Sequence, residues 1–343
     1  MGLILAPLGL VFFSRHAQGA APVAWQGPWL TAVIASAVGL WCIPFYSFLE
    51  GCGQIRAVAG MRLRQSSVAA ALAWTAMLLH HGLYAPTLVI AGQVGAGLAF
   101  VATHRRLLAG LLRHPAGESS VQWSSEVWPF QWRIAISWMC SCFTVQMFVP
   151  ILFAIRGAVE AGQMGMSLSI TTYMGGLALA WSSTKTTPFG RMVARHEFQQ
   201  LDRLFSRTLA QSMTVFAMMA FCATGVAELL PMLAPSLAAR IVSPLLLGLM
   251  FLGSGASCIV QSVGNLLRSF KSEPFLVQSL VSTALTLALV ALTAPRWGNT
   301  GTVFGYVAAS VGIGLPFALV IFIRARRLYL ASGSGSLLQG EPV

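Results

Sequence analysis

The chain has 343 residues, of which 56% are hydrophobic and only 9% are charged, and its formal net charge is +12. Soluble domains carry about 25% charged residues, so this composition excludes an ordinary soluble domain and indicates a surface that faces lipid. The six cysteines show no zinc-binding spacing, and the common nucleotide-binding and hydrolase motifs are absent. The sequence therefore predicts no cofactor, no metal site and no enzymatic activity.

Apolar runs of membrane-spanning length recur along the whole chain. A helix needs about 20 mostly apolar residues to cross a bilayer. Ten segments are predicted to do so, although the first is short: Met1–Phe13, Trp29–Phe48, Ser66–Leu83, Pro86–Thr103, Ile134–Ile155, Met164–Thr184, Thr208–Leu230, Val242–Gln261, Phe275–Thr293 and Thr302–Ile323. The predicted fold class is an all-α, polytopic membrane protein with about ten transmembrane helices.

The basic residues are concentrated in alternate loops between these segments. One set of loops holds 17 Lys and Arg residues, whereas the other set holds four. Because basic loops remain in the cytoplasm, both termini are predicted to be cytoplasmic. The positive charge is then a topology signal, and no nucleic-acid partner is expected.

Local patterns in the basic loops predict two further features. Leu201, Leu204 and Phe205 recur at helical spacing among Arg and Gln residues. This pattern predicts a helix that lies along the membrane interface before the next span. Glu50, just after the second span, is predicted to pair with Arg56.

Two short stretches occur twice in the chain in the same order. GAGLAF at 95–100 returns as GIGLPF at 312–317, and QSSVAAAL at 65–72 returns as QSLVSTAL at 278–285. The copies have the same predicted orientation, which indicates two bundles related by a pseudo-two-fold axis along the membrane normal. Chance similarity between stretches rich in Gly, Ala and Leu is the alternative explanation.

The repeat leads to a prediction of domain organisation. We predict an incomplete N-terminal bundle of about four spans at 1–115, a six-helix bundle at 116–330 and a disordered tail at 331–343. By internal symmetry, about two more spans would be needed before the first bundle to match the second.

Four stretches resemble a known family: FLEGCGQ (48–54), SSEVWPFQWRIAISW (124–138), AGQMGMSLSI (161–170) and WSSTKTTPFGRMVARHEFQQLDRLF (181–205). Together they resemble bacterial O-antigen flippases of the multidrug/oligosaccharidyl-lipid/polysaccharide exporter superfamily. The resemblance covers nearly the whole chain. It implies that the protein flips a polyprenyl-diphosphate-linked oligosaccharide across the bacterial inner membrane. It also implies membrane lipids and a glycan polymerase or other assembly proteins as partners.

Two helices of the predicted second bundle carry polar stripes, each with a cation at its predicted cytoplasmic end. The candidate substrate-binding residues are Arg133, Ser137, Ser141 and Thr144 on the first stripe, Ser167, Thr171, Ser182 and Lys185 on the second, and Gln146, which lies away from the first stripe. Hydroxyl and amide groups suit a glycan, and Arg and Lys suit a diphosphate. The same spacing of small residues is also typical of close helix packing, and both cations also fit the topology signal.

Other functions remain open at this point. The chain could be a multidrug or small-molecule antiporter of the same fold, a membrane glycosyltransferase or polymerase, or an inactive truncated fragment. Intramembrane carboxylates usually mark ion pathways, and no carboxylate lies deep in any predicted span. This observation argues against the antiporter.

Overall fold

The computed structural model describes Pro7 and residues 26–105, 122–270 and 273–331. The predicted first span, apart from Pro7, and nearly all of the predicted disordered tail lie outside the described residues. The chain divides into two compact units, Met1–Ser120 and Val121–Val343. The exact bundle boundaries and the symmetry axis stay predictions.

The first unit contains three described helices: α1 (Gln26–Gly51), α2 (Ile55–Leu78) and α3 (Ala85–Thr103). Helix α3 packs against both of the others. Leu49, Val58 and Met61 form a small apolar core where α1 and α2 meet. The predicted partner of Glu50 is wrong, because its carboxylate lies 2.8 Å from the guanidinium of Arg62, two helical turns into α2.

The second unit contains eight helices within the described residues: α4 (Trp128–Arg156), α5 (Ala158–Ser183), α6 (Thr186–Ala194), α7 (Phe198–Leu233), α8 (Pro235–Ala238), α9 (Pro244–Arg268), α10 (Phe275–Ala309) and α11 (Leu315–Ala331). A π-helical turn, Ser310–Gly314, joins the last two helices. Helix α9 is the most buried, because it packs against α5, α7, α10 and α11. It therefore forms the centre of this unit.

The protein is a multi-pass membrane protein. Six segments of the described residues are long and apolar enough to cross a bilayer, including the continuous stretch Phe275–Leu330. Large apolar side chains such as Trp41, Phe221 and Met232 are more than 80% exposed, as expected for groups that face lipid. The predicted count of ten spans is not confirmed. Helices α2 and α5 have 24 and 26 residues, but Arg or small polar residues interrupt their apolar runs.

Helix α10 is broken at Gly298, which lies between two predicted spans. Its φ is +54° and its ψ is −130°, a conformation that essentially only glycine adopts without strain. After the break, Gly301 and Gly305 bring the chain back against the backbone of the preceding half. The hydroxyl of Thr293 donates to the carbonyl oxygen of Gly301 at 2.7 Å. The two halves of α10 thus form a close-packed helical hairpin.

The predicted interfacial helix around Leu201 and Phe205 is wrong. These residues lie in the first turns of the 36-residue helix α7, and both are buried. They belong to an apolar cluster with Phe189, Leu266 and Tyr329. Leu201 and Phe205, which lie four residues apart on one face of α7, pack against α9 and α11. The short amphipathic element of this loop is α6, which comes before them.

Candidate functional site: a polar cavity in the second unit

The second unit contains a partly open cavity of about 430 Å³ between α4, α5, α9, α10 and the π-helical turn. This volume lies in the range of small-molecule sites. Most polar lining groups are hydroxyls and amides: Ser137, Ser141, Thr144, Gln146, Thr171, Thr172, Ser254, Ser257, Gln261, Gln278, Ser279, Ser282, Thr283, Thr286, Tyr306 and Ser310. The cavity can therefore offer many hydrogen bonds with little charge.

Small residues in the helices allow the cavity wall to form. A side chain at Gly175 would lie 3.3 Å from the hydroxyl of Ser254 and 3.4 Å from the thiol of Cys258. Helices α5 and α9 therefore approach closely at this level. Gly253 accommodates the ring of Tyr306, which any added Cβ would meet at 2.5 Å. Tyr306 in turn lies 3.4 Å from the hydroxyl of Ser257, so the ring is fixed in the wall.

Hydrogen bonds join the helices around the cavity. The hydroxyl of Thr144 on α4 donates to the hydroxyl of Thr283 on α10 at 2.9 Å. The amide nitrogen of Gln278 donates to the carbonyl oxygen of Gly314 at 3.3 Å. The hydroxyl of Ser137, a residue only 3% exposed, has no hydrogen-bond partner within the described part of the chain. A buried hydroxyl without a partner is costly.

One charged side chain, Arg268 at the end of α9, contributes to the described cavity lining. Its Nε lies 2.7 Å from Oε2 of Glu273, and its Nη2 lies 3.1 Å from Oε1 of the same residue. The carboxylate side chain is completely buried, whereas the guanidinium side chain is 24% exposed. Glu273 itself is not part of the lining.

Five of the nine predicted site residues line this cavity: Ser137, Ser141, Thr144, Gln146 and Thr171. The structure thus brings together the three hydroxyl residues of the first polar stripe, the amide of Gln146 and Thr171 of the second stripe. Several of these hydroxyls also donate to backbone carbonyl groups one turn earlier, as Ser141 does to Ser137 at 3.1 Å. Packing and ligand binding are therefore compatible at these positions.

The other four predicted residues lie outside the cavity lining. The hydroxyl of Ser167 accepts a hydrogen bond from the backbone N–H of Val242 at 3.1 Å, which fastens the chain before α9. Ser182 is buried within α5. Arg133 is exposed, with its guanidinium 5.7 Å from the ring centre of Trp132. Lys185 is half-buried just before α6. A role for these four residues in substrate binding stays a prediction.

Sequence reasoning missed Arg268, Glu273 and Gln278 as site residues. In the sequence, Arg268 was one of the basic residues that indicate a cytoplasmic loop. Nothing in the local sequence shows which way a residue at a helix end faces. Gln278 did carry a signal, since it begins the repeated stretch QSLVSTAL at 278–285.

The repeat makes the same contact in each unit. In the first unit, Gln65 lies beside Gly97, where an added Cβ would meet its amide nitrogen at 2.8 Å. In the second unit, Gln278 lies beside Gly314, where the corresponding distance is 3.6 Å. Both glutamines occupy the first position of their repeat, and both glycines occupy the third position of the hexapeptide. This shared contact supports the predicted duplication.

The candidate site shows no metal-binding chemistry. Across the described residues, no group of three His, Cys, Asp or Glu side chains is placed to hold a metal ion. What the helices offer is a hydroxyl- and amide-rich cavity inside a membrane bundle, which suits the passage or binding of a polar solute.

These features define a multi-pass helical membrane protein, and known structures specify its fold further. The chain is similar to the Vibrio cholerae MATE transporter VcmN in its bent form, with a TM-score of 0.60 and 16% identity over 96% of this chain and 76% of that one. It is also similar to a MATE structure in the bent conformation, with a TM-score of 0.59 and 14% identity over 96% of this chain and 77% of that one. The chain therefore has a MATE-like fold.

The similarity to these structures shows the fold alone, so the exporter superfamily that the sequence resemblance implies stays a prediction. No protein-family model matches the chain. No curated protein matches it either.

Proposed function

We propose that the protein flips a polyprenyl-diphosphate-linked oligosaccharide across the bacterial inner membrane, with both termini in the cytoplasm. The observation that carries this proposal is the chemistry of the cavity in the second unit. Its described lining is rich in hydroxyl and amide groups, contains one arginine and contains no carboxylate. Membrane lipids would surround the prenyl tail, and a glycan polymerase or other assembly proteins would receive the cargo.

Each part of this cargo has a physical counterpart in the unit. Sugar hydroxyl groups need paired donors and acceptors, which Ser, Thr and Gln side chains supply. A phosphate group needs a planar or point cation, and arginine supplies two parallel N–H donors. The apolar tail needs a lipid-facing surface, and the outer faces of the helices carry large exposed apolar side chains.

A multidrug or small-molecule antiporter is the second candidate, because both similar structures are MATE transporters. A cationic drug in a low-dielectric cavity would favour an unpaired carboxylate nearby. The described lining offers an arginine instead. The cavity therefore favours a neutral or anionic cargo over a cationic one.

The two functions can be separated in proteoliposomes that contain the purified chain. We expect the chain to flip a fluorescent lipid-linked oligosaccharide, detected as lectin-accessible fluorescence in the opposite leaflet, and not to move ethidium against a proton or sodium gradient. Ethidium transport without glycan flipping would overturn the proposal and favour the antiporter.

Variants connect that activity to the cavity. Gln146→Leu removes an amide from the lining, and we expect flipping to fall about tenfold, the effect of losing one to two hydrogen bonds. Gln199→Leu is the matched control, because Gln199 is exposed on α7 and is not part of the lining. Equal loss in both variants would show that the cavity is not the transport site.

A further inference from the structure

We propose that Arg268 is an anion-binding residue of the polar cavity and that Glu273 is its internal counter-ion, displaced when a phosphate or diphosphate group enters. The proposal rests on the proposed function, because the anionic group would be that of the lipid-linked cargo. It adds a specific residue pair, on α9 and the loop after it, that the polar stripes did not include.

The two partners are exposed to the cavity in different ways. The guanidinium contributes to the cavity lining, whereas the carboxylate is fully buried behind it. Gly264 lies one turn before Arg268, and an added Cβ there would be 3.8 Å from Nη1. No side chain at this position therefore covers that edge of the guanidinium. A ligand in the cavity would meet the positive partner of the pair.

The guanidinium of Arg268 has N–H donors that Glu273 does not use. Arginine carries five N–H donors in a fixed plane. Glu273 engages Nε and Nη2 in a forked pair. The remaining donors have no partner among the residues that the structure describes. A phosphate group offers the same spacing of oxygens as a carboxylate and a higher charge, so it can bind the free edge or replace Glu273 in the fork.

A second group in the cavity lacks a partner. The hydroxyl of Ser137 is buried in the cavity wall without one, within the described part of the chain. Phosphate oxygens accept hydrogen bonds from hydroxyl groups as well as from arginine. The cavity wall thus contains a buried hydroxyl without a partner, and the cavity lining contains an arginine with unused donors. Groups of both kinds can donate hydrogen bonds to an anion.

The alternative is a purely structural ion pair that fastens the loop between α9 and α10. Removing either partner would then leave the other charge unpaired, and a buried unpaired charge is costly. Both single variants would lose stability and activity together. Our proposal predicts opposite effects on anion affinity, because Glu273→Gln frees the guanidinium whereas Arg268→Gln removes it.

The test uses the full chain in detergent micelles and isothermal titration calorimetry with inorganic pyrophosphate and with geranylgeranyl diphosphate. We expect Arg268→Gln to weaken binding by about tenfold or more, which corresponds to one charge-assisted hydrogen bond. We expect Glu273→Gln to tighten binding. The control Arg203→Gln, at an exposed position of α7, should bind like the unmodified chain. Weakening by Glu273→Gln in a folded sample would overturn the proposal.

A double variant controls for misfolding of the two single variants. Arg268→Gln with Glu273→Gln removes both charges, so it leaves no unpaired ion. We expect it to fold and to bind as weakly as Arg268→Gln alone. Binding at the level of the unmodified chain would overturn the proposal, as would the absence of pyrophosphate and prenyl diphosphate binding to the unmodified chain.

The two probes and the transport assay separate the remaining questions. Stronger binding of geranylgeranyl diphosphate than of pyrophosphate would identify a lipid-linked anion, and equal binding would identify the phosphate group alone as the ligand. If binding follows the expected pattern but no glycan is flipped, the proposed function fails and the anion site stands. If glycan is flipped normally by Arg268→Gln, the anion site fails and the proposed function stands.

Discussion

Replacing Gly298 with alanine should destabilise the second unit strongly. Gly298 has a φ of +54° and a ψ of −130°, so an alanine there is strained whatever space surrounds it. An added Cβ would also overlap the carboxylate of Glu160, the acidic residue in the first turn of α5. That carboxylate accepts a hydrogen bond from the backbone N–H of Asn299 at 3.1 Å. It therefore cannot move away from the added Cβ without losing this hydrogen bond.

The expected cost follows from two contributions. Backbone strain of this kind is worth about 1–3 kcal/mol, and a hydrogen bond to a charged group is worth about 1.5–3 kcal/mol. We therefore expect Gly298→Ala to lower the free energy of unfolding by about 3–5 kcal/mol. For a unit of this size, such a change lowers the melting temperature by on the order of 10 °C.

Thermal unfolding of a fluorescent fusion protein in detergent, followed by size-exclusion chromatography, measures this change. Gly225→Ala in α7 is the control, because nothing lies within 4 Å of its added Cβ, and it should be neutral or slightly stabilising. Glu160→Ala combined with Gly298→Ala should cost less than the two single changes added together, because both remove the same hydrogen bond. Strict additivity, or a melting temperature for Gly298→Ala equal to that of the control, would refute this reasoning.

Three further predictions concern packing and topology. Thr144→Val keeps the shape of the side chain but removes its 2.9 Å hydrogen bond to α10, so thermal unfolding should show a loss of about 1 kcal/mol. In the same assay, Phe198→Ala in the buried aromatic cluster should lower the free energy of unfolding by about 3–5 kcal/mol. Asp202→Asn, in a partly exposed ion pair, should lower it by about 1 kcal/mol or less. The reverse order would contradict the assignment of that cluster as a core. In a chain whose natural cysteines are replaced, an impermeant thiol reagent applied from outside should label a cysteine at Gly157 and not one at Arg195, and the opposite pattern would contradict cytoplasmic termini.

Helix type and approximate position could be predicted from the sequence, because the bilayer imposes a simple rule on apolar length. The break in α10 was also accessible, since Pro295 and Gly298 interrupt the apolar run. The early start of α7 could not be predicted from the sequence. Its first three turns carry Arg and Gln residues, which indicate an interface, but packing against α9 and α11 buries their apolar face. Tertiary contacts of this kind do not appear in a local pattern.

The candidate site was predictable in part for a similar reason. Hydroxyl groups at i, i+4 and i+7 mark one face of α4, so Ser137, Ser141 and Thr144 could be placed together. Which neighbouring helices close the cavity depends on helix packing, and the sequence contains no direct signal for it. The pairing of Arg268 with Glu273 depends on the path of a loop, and the burial of that carboxylate could not be read from spacing.

The hairpin of α10 has a consequence for how the protein enters the membrane. The segment Phe275–Leu330 is 56 residues long and apolar enough to cross a bilayer, and the chain reverses its direction at the break at Gly298. Because the two halves contact each other through the glycines after the break, we expect them to leave the translocon as a pair. The carboxylate that caps the second half comes from a residue 139 positions earlier. Synthesis proceeds from the N-terminus, so α5 is already in place when the turn emerges, and assembly of the last hairpin depends on a helix made long before it.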